Sequence, residues 1–225
     1  MTKRYGDVVA VDRVDLDVPT GSVYGLVGPN GAGKTTLLGM LAGLKQPSQG
    51  SITMETTSVG VLPDTPQFDR WLSGREVVDL SRSLAKRDIA ESRVDEVLEI
   101  AGLAEDAGRQ VRGYSRGMLQ RLGLASVVVT EPDLLLLDEP AAALDPAGRR
   151  EVLDLIAQMR GRSTVLMSSH ILDDVQEVCD EIGIVRRGEM MFQGSLDGLL
   201  SRYVGNAFVV VVRSDPSGVK ELLLA

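Results

Sequence analysis

Short apolar runs of strand length alternate with glycine- and proline-rich turns in the first third of the chain. The runs are rich in valine and leucine, a composition typical of β-strands. One longer segment, Lys34–Leu44, has helical character and closes with Gly43 and then Pro47, residues that commonly end helices. Strands are predicted for Val8–Val18, Ser22–Val27, Gly50–Met54 and Ser58–Leu62.

The middle of the chain, from about residue 71 to residue 129, has the pattern of helices. Glu76 follows Ser73 by three positions, a spacing typical of a capping box at a helix N-terminus. A second helix is predicted over Ile89–Ala101 and a third from Ser115 onward. The second helix carries an apolar stripe formed by Val94, Val97, Leu98 and Ala101.

Strand signals return after residue 129. Leu134–Leu137 is a continuous apolar run of the kind found in a sheet that is buried on both faces. The alternation of strand and helix signals in the first and last thirds predicts a mostly parallel α/β sheet with a helical insertion in the middle. The last third is predicted to contain helices Arg149–Met159 and Leu172–Val178 and strands Thr164–Met167 and Ile182–Val185.

Charge and cysteine content narrow the classes of function. The 225 residues carry a formal net charge of −8. Proteins that bind nucleic acid need lysine and arginine to replace counterions on phosphates, so we expect no nucleic-acid partner. The single cysteine, Cys179, permits no internal disulfide and no C-x-x-C metal site. It is predicted to be a small core residue in a reduced, cytoplasmic protein.

No stretch of the sequence has the pattern of a secretion signal or a membrane span. The N-terminal residues Met1–Asp7 lack an apolar segment. The longest apolar runs, Leu134–Leu137 and Ala207–Val212, have strand length and fall far short of the ~20 residues that cross a bilayer. We therefore expect the chain not to span a membrane.

A glycine-rich loop between a predicted strand and a predicted helix fits the pattern G-x-x-x-x-G-K-[ST]. Glycines let several backbone amides converge on phosphate oxygens, and the following helix adds its positive N-terminal end. Lys34 is expected to reach the β- and γ-phosphates of a nucleotide, and Thr35 to ligate Mg²⁺. The loop consists of Gly28, Pro29, Asn30, Gly31, Ala32, Gly33, Lys34 and Thr35, and Thr36 extends it.

Two carboxylates end the most apolar strand. Asp138 and Glu139 directly follow Leu134–Leu137, and the carboxyl ends of parallel strands form the edge where ligands of such sheets bind. Asp138 is predicted to hold Mg²⁺ directly or through water. Glu139 is predicted to act as the general base that polarises the attacking water.

His170, the only histidine, follows another predicted strand. A histidine in this position is often a capping or surface residue. Here its strand is expected to end at the same sheet edge as Glu139. His170 is therefore predicted to contact the γ-phosphate and to hold Glu139, water and phosphate in line.

The segment Gly113–Arg121, which reads GYSRGMLQR, gives a family resemblance. It resembles the signature motif of ABC ATPases, and Ala143–Pro146 resembles the D-loop of that family. With His170 as the switch histidine, the resemblance covers the chain from Lys3 to about Gly194. It is closest to the ATPase subunits of ABC-2-type exporters of drugs, antibiotics or polysaccharides.

The resemblance implies further roles, and it implies ATP and Mg²⁺ as the ligands. Tyr5 matches the aromatic residue that stacks on adenine. The signature residues Ser115, Arg116, Gly117 and Met118 would act in trans, on ATP held by another subunit. The implied partners are a second copy in a head-to-tail dimer, with Asp145 in its D-loop, and a separate transmembrane permease. The chain would then lie in the cytoplasm, on the membrane surface.

Three departures from the family pattern bear on these roles. Asp64 follows Leu62-Pro63 where family members carry glutamine, and it is a further candidate Mg²⁺ ligand. Ala141–Ala143 replaces a Thr/Ser-x-Gly sequence and loses a hydroxyl. Both ends look short against the family, which indicates either a fragment or a mis-started reading frame.

Together these features predict an α/β P-loop NTPase with a RecA-like core over residues 1–72 and 129–200. A helical subdomain is predicted for 73–128, and the start of a C-terminal extension for 201–225. The predicted function is ATP hydrolysis coupled to export through a separate transmembrane subunit. The alternatives are an ABC ATPase of DNA repair or the ribosome, and a regulatory cassette that binds ATP without useful hydrolysis.

Overall fold

A six-stranded sheet organises the chain in the computed structural model, which describes residues 1–142 and 144–203. The strand order is β4-β5-β6-β3-β7-β8, and every neighbouring pair is parallel except β7 and β8. A separate antiparallel pair is formed by β1 (Lys3–Tyr5) and β2 (Val8–Val11). The six strands are β3 (Val23–Val27), β4 (Val59–Leu62), β5 (Leu134–Leu137), β6 (Thr164–Ser169), β7 (Glu181–Arg186) and β8 (Glu189–Ser195).

Seven helices connect or flank the described strands. Four of them pack beside the sheet, and three lie in the segment between β4 and β5 together with a short 3₁₀ turn at Val111–Gly113. The helices are α1 (Lys34–Leu41), α2 (Gly74–Leu84), α3 (Ser92–Ile100), α4 (Arg116–Val128), α5 (Pro146–Ala157), α6 (Leu172–Val178) and α7 (Leu196–Tyr203).

Both faces of the central strands are buried, as the continuous apolar run of β5 predicted. Leu135 and Leu137 point into a core that α4 and α5 share, whereas Leu136 points to the opposite face. There it packs with Leu37 and Leu38 of α1. Successive side chains of a strand alternate between faces, so a strand covered on both sides needs apolar residues throughout.

The capping box at the start of α2 is confirmed. The Ser73 backbone N–H donates to Glu76 Oε2 at 2.7 Å, and the Glu76 N–H donates to Ser73 Oγ at 3.2 Å. The hydrogen bonds from Ser73 lower the pKa of the Glu76 carboxyl below its usual range. The predicted apolar stripe of the second helix is also buried as expected, with Val94, Val97 and Leu98 inside.

Two strand predictions near the N-terminus are wrong: one strand is shorter than predicted, and the other does not form. Only Val8–Val11 of the predicted Val8–Val18 strand forms a ladder, because Arg13 takes a positive φ of 48° and the chain leaves the hairpin. Gly50–Met54 forms no strand. The nearest pairing is an isolated bridge between Thr2 and Gln49, which ends before this segment.

The β7–β8 hairpin and α7 were not predicted. Arg187 and Gly188 both have positive φ (53° and 82°), so they can form the two-residue turn that joins antiparallel strands. Arg-Gly is a weaker signal for this turn than Asn-Gly, and Glu189–Ser195 lacks strict alternation. Gly188, which follows the predicted strand Ile182–Val185, was the one sequence feature that indicated a turn here.

Cys179 is partly buried at the end of α6, in agreement with its predicted place in the core. Burial raises the pKa of its thiol to about 12.

None of the helices in the described ranges is long and apolar enough to cross a bilayer. The predictions for Ala143, for Ala207–Val212 and for the extension beyond residue 203 lie outside the described residues.

Candidate active site

The loop between β3 and α1 lies against the ends of β6 and β7. The Gly28 N–H donates to the Ser169 carbonyl at 3.2 Å, and a Cβ added at Gly28 would lie 2.2 Å from the Val185 carbonyl oxygen. Gly33 has a φ of 106°, and a Cβ there would lie 2.4 Å from the Ala10 carbonyl oxygen. Both positions therefore require glycine for steric reasons, and the loop is held against the sheet edge.

The N-terminus of α1 opens onto this loop without a side-chain cap. The first amides of a helix have no partner within the helix, and they carry its positive dipole end. Lys34 stands at this point and is only 5% exposed. Its Nζ donates to the Gly28 carbonyl at 2.7 Å and to the Pro29 carbonyl at 3.3 Å. The result is a concentration of positive charge inside a glycine-rich cradle.

Asp138 and Glu139 are both hydrogen-bonded to a buried serine, one through its carboxylate and the other through its backbone. Asp138 continues β5, where its N–H donates to the Leu62 carbonyl at 2.9 Å. Ser168 on β6 is fully buried, and its hydroxyl donates to Asp138 Oδ1 at 2.7 Å. The Ser168 hydroxyl oxygen in turn accepts the Glu139 N–H at 2.9 Å. One serine thus orients the Asp138 carboxylate and the Glu139 backbone together.

Glu139 is held in an unusual backbone conformation with a φ of 48°. A non-glycine residue in this region costs on the order of 1–3 kcal/mol, and such strain clusters at functional sites. Its Oε2 lies 2.7 Å from His170 Nδ1. Its Oε1 lies 3.1 Å from Lys34 Nζ, yet this buried oxygen accepts no hydrogen bond from the described residues. One carboxylate oxygen is therefore oriented by histidine, and the other is available for a new donor.

A cavity of about 440 Å³ lies between the glycine-rich loop and Glu139. Its wall is formed by the glycine-rich loop, by the start of α1 and by the three residues Val8–Ala10 of β2. Asp64 and Glu139 complete the lining. A larger cavity of about 700 Å³ lies at the other edge of the sheet, and its lining includes none of the predicted site residues.

The structure brings most of the predicted hydrolytic residues together. Lys34 and His170 both contact Glu139, while Thr35 and Asp64 share its cavity. Tyr5 is not part of the lining and is 46% exposed on β1. It pairs with Val8, which does line the cavity, so the tyrosine lies near its rim.

The signature and D-loop residues lie outside the cavity lining. Ser115 caps α4 by accepting the Met118 N–H at 3.2 Å, and it is exposed. Asp145 is exposed at the N-terminus of α5 and forms no side-chain cap there. A Cβ at Gly117 would meet no described atom closer than Leu144 Cδ2 at 3.7 Å. The described contacts therefore do not require glycine at 117.

Ser168 is the site residue that the sequence reasoning missed. The predicted strand stopped at Met167, although β6 continues through Ser169. The available signal was a polar residue at the end of an apolar strand, two positions before His170. Its role becomes visible only with the register, because Leu137 pairs with Met167 and the next residues are neighbours.

We expect Ser168→Ala to lower kcat for ATP by about tenfold to a hundredfold. The variant loses the hydrogen bond to the charged Asp138, worth roughly 1.5–3 kcal/mol, and also the acceptor of the Glu139 N–H. The KM for ATP should change little, since the hydroxyl does not line the cavity. Steady-state phosphate release measures both. Ser163→Ala is the matched control, because Ser163 is also buried and donates to a carbonyl, that of Pro132, at the other end of β6. Equal effects of the two variants would contradict the role of Ser168.

Comparison with known proteins gives consistent matches. Residues 11–142 match the family model described as ABC transporter. An ABC transporter ATP-binding protein of Bacillus subtilis, YxlF, is 39% identical over 227 residues, which is 97% of this chain and 77% of YxlF. The daunorubicin resistance ATP-binding protein DrrA3 of Streptomyces coeruleorubidus is 39% identical, over 94% of this chain and 71% of DrrA3.

Solved structures show the same fold. The ATP-binding subunit of an ABC transporter superposes with a TM-score of 0.80 at 25% identity, covering 90% of each chain. The ATP-binding cassette MJ0796, in a dimeric post-hydrolysis state with ADP and Pi, superposes with a TM-score of 0.77 at 21% identity. That comparison covers 87% of this chain and 95% of the cassette.

Proposed function

The chain belongs to the ABC transporter family of ATP-binding proteins, and we propose that it couples ATP hydrolysis to export through a separate membrane subunit. The observation that carries this proposal is the meeting of Lys34, Glu139 and His170 beside the glycine-rich loop. Cation, carboxylate and imidazole at the mouth of a phosphate cradle are the groups that hydrolysis of a phosphoanhydride needs.

ATP binding uses the positive end of the site. The phosphates bind at the amides of the loop and at the first turn of α1, where no side chain competes as a cap. The γ-phosphate competes with Glu139 for Lys34, whose Nζ is 3.1 Å from Glu139 Oε1. Binding therefore frees Glu139 to act on water.

Hydrolysis uses the freed carboxylate. Glu139 Oε1 takes a proton from the attacking water, whose oxygen forms a bond to the γ-phosphorus as the bond to the β-phosphate oxygen breaks. His170 holds Oε2 at 2.7 Å and so fixes the direction in which Oε1 points. ADP and inorganic phosphate are the products.

The oxygen donors of this site fit Mg²⁺. Thr35 and Asp138 would hold the ion, with Asp64 as a third candidate, and hydroxyl and carboxylate oxygens are the ligands this cation prefers. Among the described residues no group of three or more acidic, histidine or cysteine side chains could form a metal site by itself. This suits Mg²⁺, which keeps waters and uses substrate phosphates as ligands. When bound, it neutralises charge on the phosphates.

A complete site requires a second subunit in this proposal. Ser115 and Gly117, with Arg116 and Met118 beside them, are the groups that would contact the γ-phosphate in the facing copy. Ser115 is exposed at the N-terminus of α4, where helix amides favour an anion. Two copies then bind head to tail with Asp145 between them, and Tyr5 stacks on the adenine.

The membrane side of the proposal rests on family likeness. The similar DrrA3 is named as a daunorubicin resistance protein, and another relative, BcrA of Enterococcus faecalis, as a bacitracin transport protein. We propose that this chain likewise serves export, attached to the cytoplasmic face of the membrane through its permease. Residues 73–128 would form the helical subdomain, and 1–72 with 129–200 the core. A helix of the permease would dock near Asp64 and the loop 66–75. The net charge of −8 supports the absence of a nucleic-acid partner.

A mixing experiment tests the shared site. Ser115→Arg and Lys34→Ala should each abolish hydrolysis when the subunits are identical. An equal mixture should recover about a quarter of the wild-type rate, because half of random dimers are mixed and each contains one intact site. Phosphate release at a fixed total concentration measures the recovery.

The unmixed variants at the same concentration are the controls for that measurement. If the mixture is as inactive as its parts, the signature residues do not act in trans. If wild-type protein binds ATP but releases no phosphate with or without a permease, the chain is a regulatory cassette.

A further inference from the structure

A buried ion pair joins the two helices that follow the D-loop and His170. Asp174 on α6 is only 4% exposed, and its Oδ1 accepts a hydrogen bond from Arg149 Nε on α5. The Arg149 side chain is about three-quarters buried as well. An unpaired carboxylate at such a depth would be strongly destabilising, so the pair fixes the two helices relative to each other.

The second oxygen of Asp174 reaches the turn that carries His170. Ser169 Oγ lies 3.2 Å from Asp174 Oδ2 and 3.2 Å from the Ile171 carbonyl, so its proton can be donated to either. The same hydroxyl oxygen accepts the Ile171 N–H at 3.0 Å. The residues on both sides of His170 are therefore tied to Asp174.

The ion pair is also connected to the proposed subunit interface. The Arg149 N–H donates to the Asp145 carbonyl at 2.9 Å in the first turn of α5. The Ser169 carbonyl accepts the N–H of Gly28 in the phosphate loop. A continuous set of hydrogen bonds thus runs from Asp145, through Arg149 and Asp174, to the residue beside His170.

We propose that Arg149 and Asp174 are positioning residues that place the His170 imidazole on Glu139. Neither residue lines the nucleotide cavity, so they act through the Ser169 turn. The inference rests on the proposed ATPase function for its catalytic part only. Displacement of the turn would leave Glu139 without its 2.7 Å contact to Nδ1 and would misdirect Oε1.

The test uses the fact that His170 is the only histidine of the 225 residues. Tag-free full-length protein labelled with ¹³C at histidine Cε1 gives one imidazole signal. Asp174→Asn should shift or split that signal without any nucleotide present. In the same variant kcat should fall about tenfold and the KM for ATP should change less than about threefold, the pattern of a lost transition-state contact.

A matched control lies on the same two helices. Arg150 and Glu177 also join α5 to α6, but their closest atoms are 3.8 Å apart and both side chains are exposed. Glu177→Gln should leave the His170 signal and kcat unchanged. The double variant Arg149→Met and Asp174→Leu replaces both charged side chains by apolar ones, so that no single charge is left buried without a partner. This double variant should still show the displaced signal and the lower kcat.

Three outcomes would overturn the proposal. In the first, Asp174→Asn shifts the unfolding midpoint but leaves the His170 signal and the kcat of the folded protein unchanged. The ion pair would then only stabilise the fold. Another is a double variant with wild-type kcat and signal. The third is an equal effect of Glu177→Gln. If wild-type protein proves inactive, the ATPase proposal fails, but the imidazole signal still decides whether the pair positions His170.

Discussion

Glu139→Gln is expected to lower kcat for ATP hydrolysis by about 10²- to 10⁴-fold, the range that a general base contributes. Glutamine keeps the size of the side chain and can still contact His170 Nδ1, but its amide does not accept the proton of water. ATP binding should persist, and should strengthen if anything, because Lys34 loses the anion 3.1 Å away that competes with the γ-phosphate. Phosphate release and equilibrium binding of a fluorescent ATP analogue measure the two effects.

The control for this variant is Glu131→Gln. Glu131 has the same positive φ of 48° but lies beyond α4 and outside the cavity lining. It therefore separates the chemistry of the carboxylate from the effect of a glutamine in a left-handed backbone conformation. If Glu139→Gln released phosphate at the wild-type rate in an assembled complex, the proton acceptor would have to be another group.

Lys34→Ala should remove most ATP affinity. Charge-assisted hydrogen bonds are worth roughly 1.5–3 kcal/mol each. Because the variant has no ammonium group to bind the phosphates, its Kd for ATP should rise by about tenfold to a hundredfold or more. The variant also leaves the Gly28 carbonyl without its 2.7 Å donor and Glu139 without a counter-charge. Equilibrium binding of ATP with and without Mg²⁺ measures the change.

Lys86→Ala is the control for general loss of positive charge, because Lys86 is exposed in the helical segment far along the chain from the loop. Thermal unfolding of both variants shows whether the fold persists. ATP affinity within a factor of about two of wild type in folded Lys34→Ala protein would contradict the phosphate-binding role.

The parts of the site that could be predicted from sequence are those whose chemistry lies in consecutive residues. The phosphate loop needs its glycines and lysine at fixed spacing, so the pattern is visible without a structure. Asp138 and Glu139 were found because they end a strand whose apolar run predicts burial on both faces. The contact between Glu139 and His170 followed from the rule that parallel strands end at one edge.

Contacts that depend on register or helix packing could not be predicted. Ser168 meets Asp138 only because β5 and β6 are neighbours with Leu137 opposite Met167. Arg149 and Asp174 are 25 positions apart and meet through the packing of two helices. Nothing in residue type distinguishes this pair from the exposed pair of Arg150 and Glu177.

The errors in the fold also have physical causes. Gly50–Met54 has the composition of a strand but finds no neighbouring strand to pair with, and unpaired strands do not form. The roles of Ser115 and Asp145 remain predictions, because a single subunit does not bring them to the nucleotide cavity. The stacking of Tyr5 on adenine also remains a prediction, since the tyrosine lies near the rim of the cavity but does not line it.

The end of β6 has a consequence for how the length of this chain can vary. Ser168, Ser169 and His170 are consecutive, yet their side chains contact three different carboxylates: Asp138 after β5, Asp174 of α6, and Glu139. Adding or removing one residue within β6 would exchange all three assignments at once, because each side chain would turn to the opposite face. We therefore expect every homologue that hydrolyses ATP to keep the length of this strand. The segment around residues 50–58, in contrast, can change length without displacing the catalytic residues.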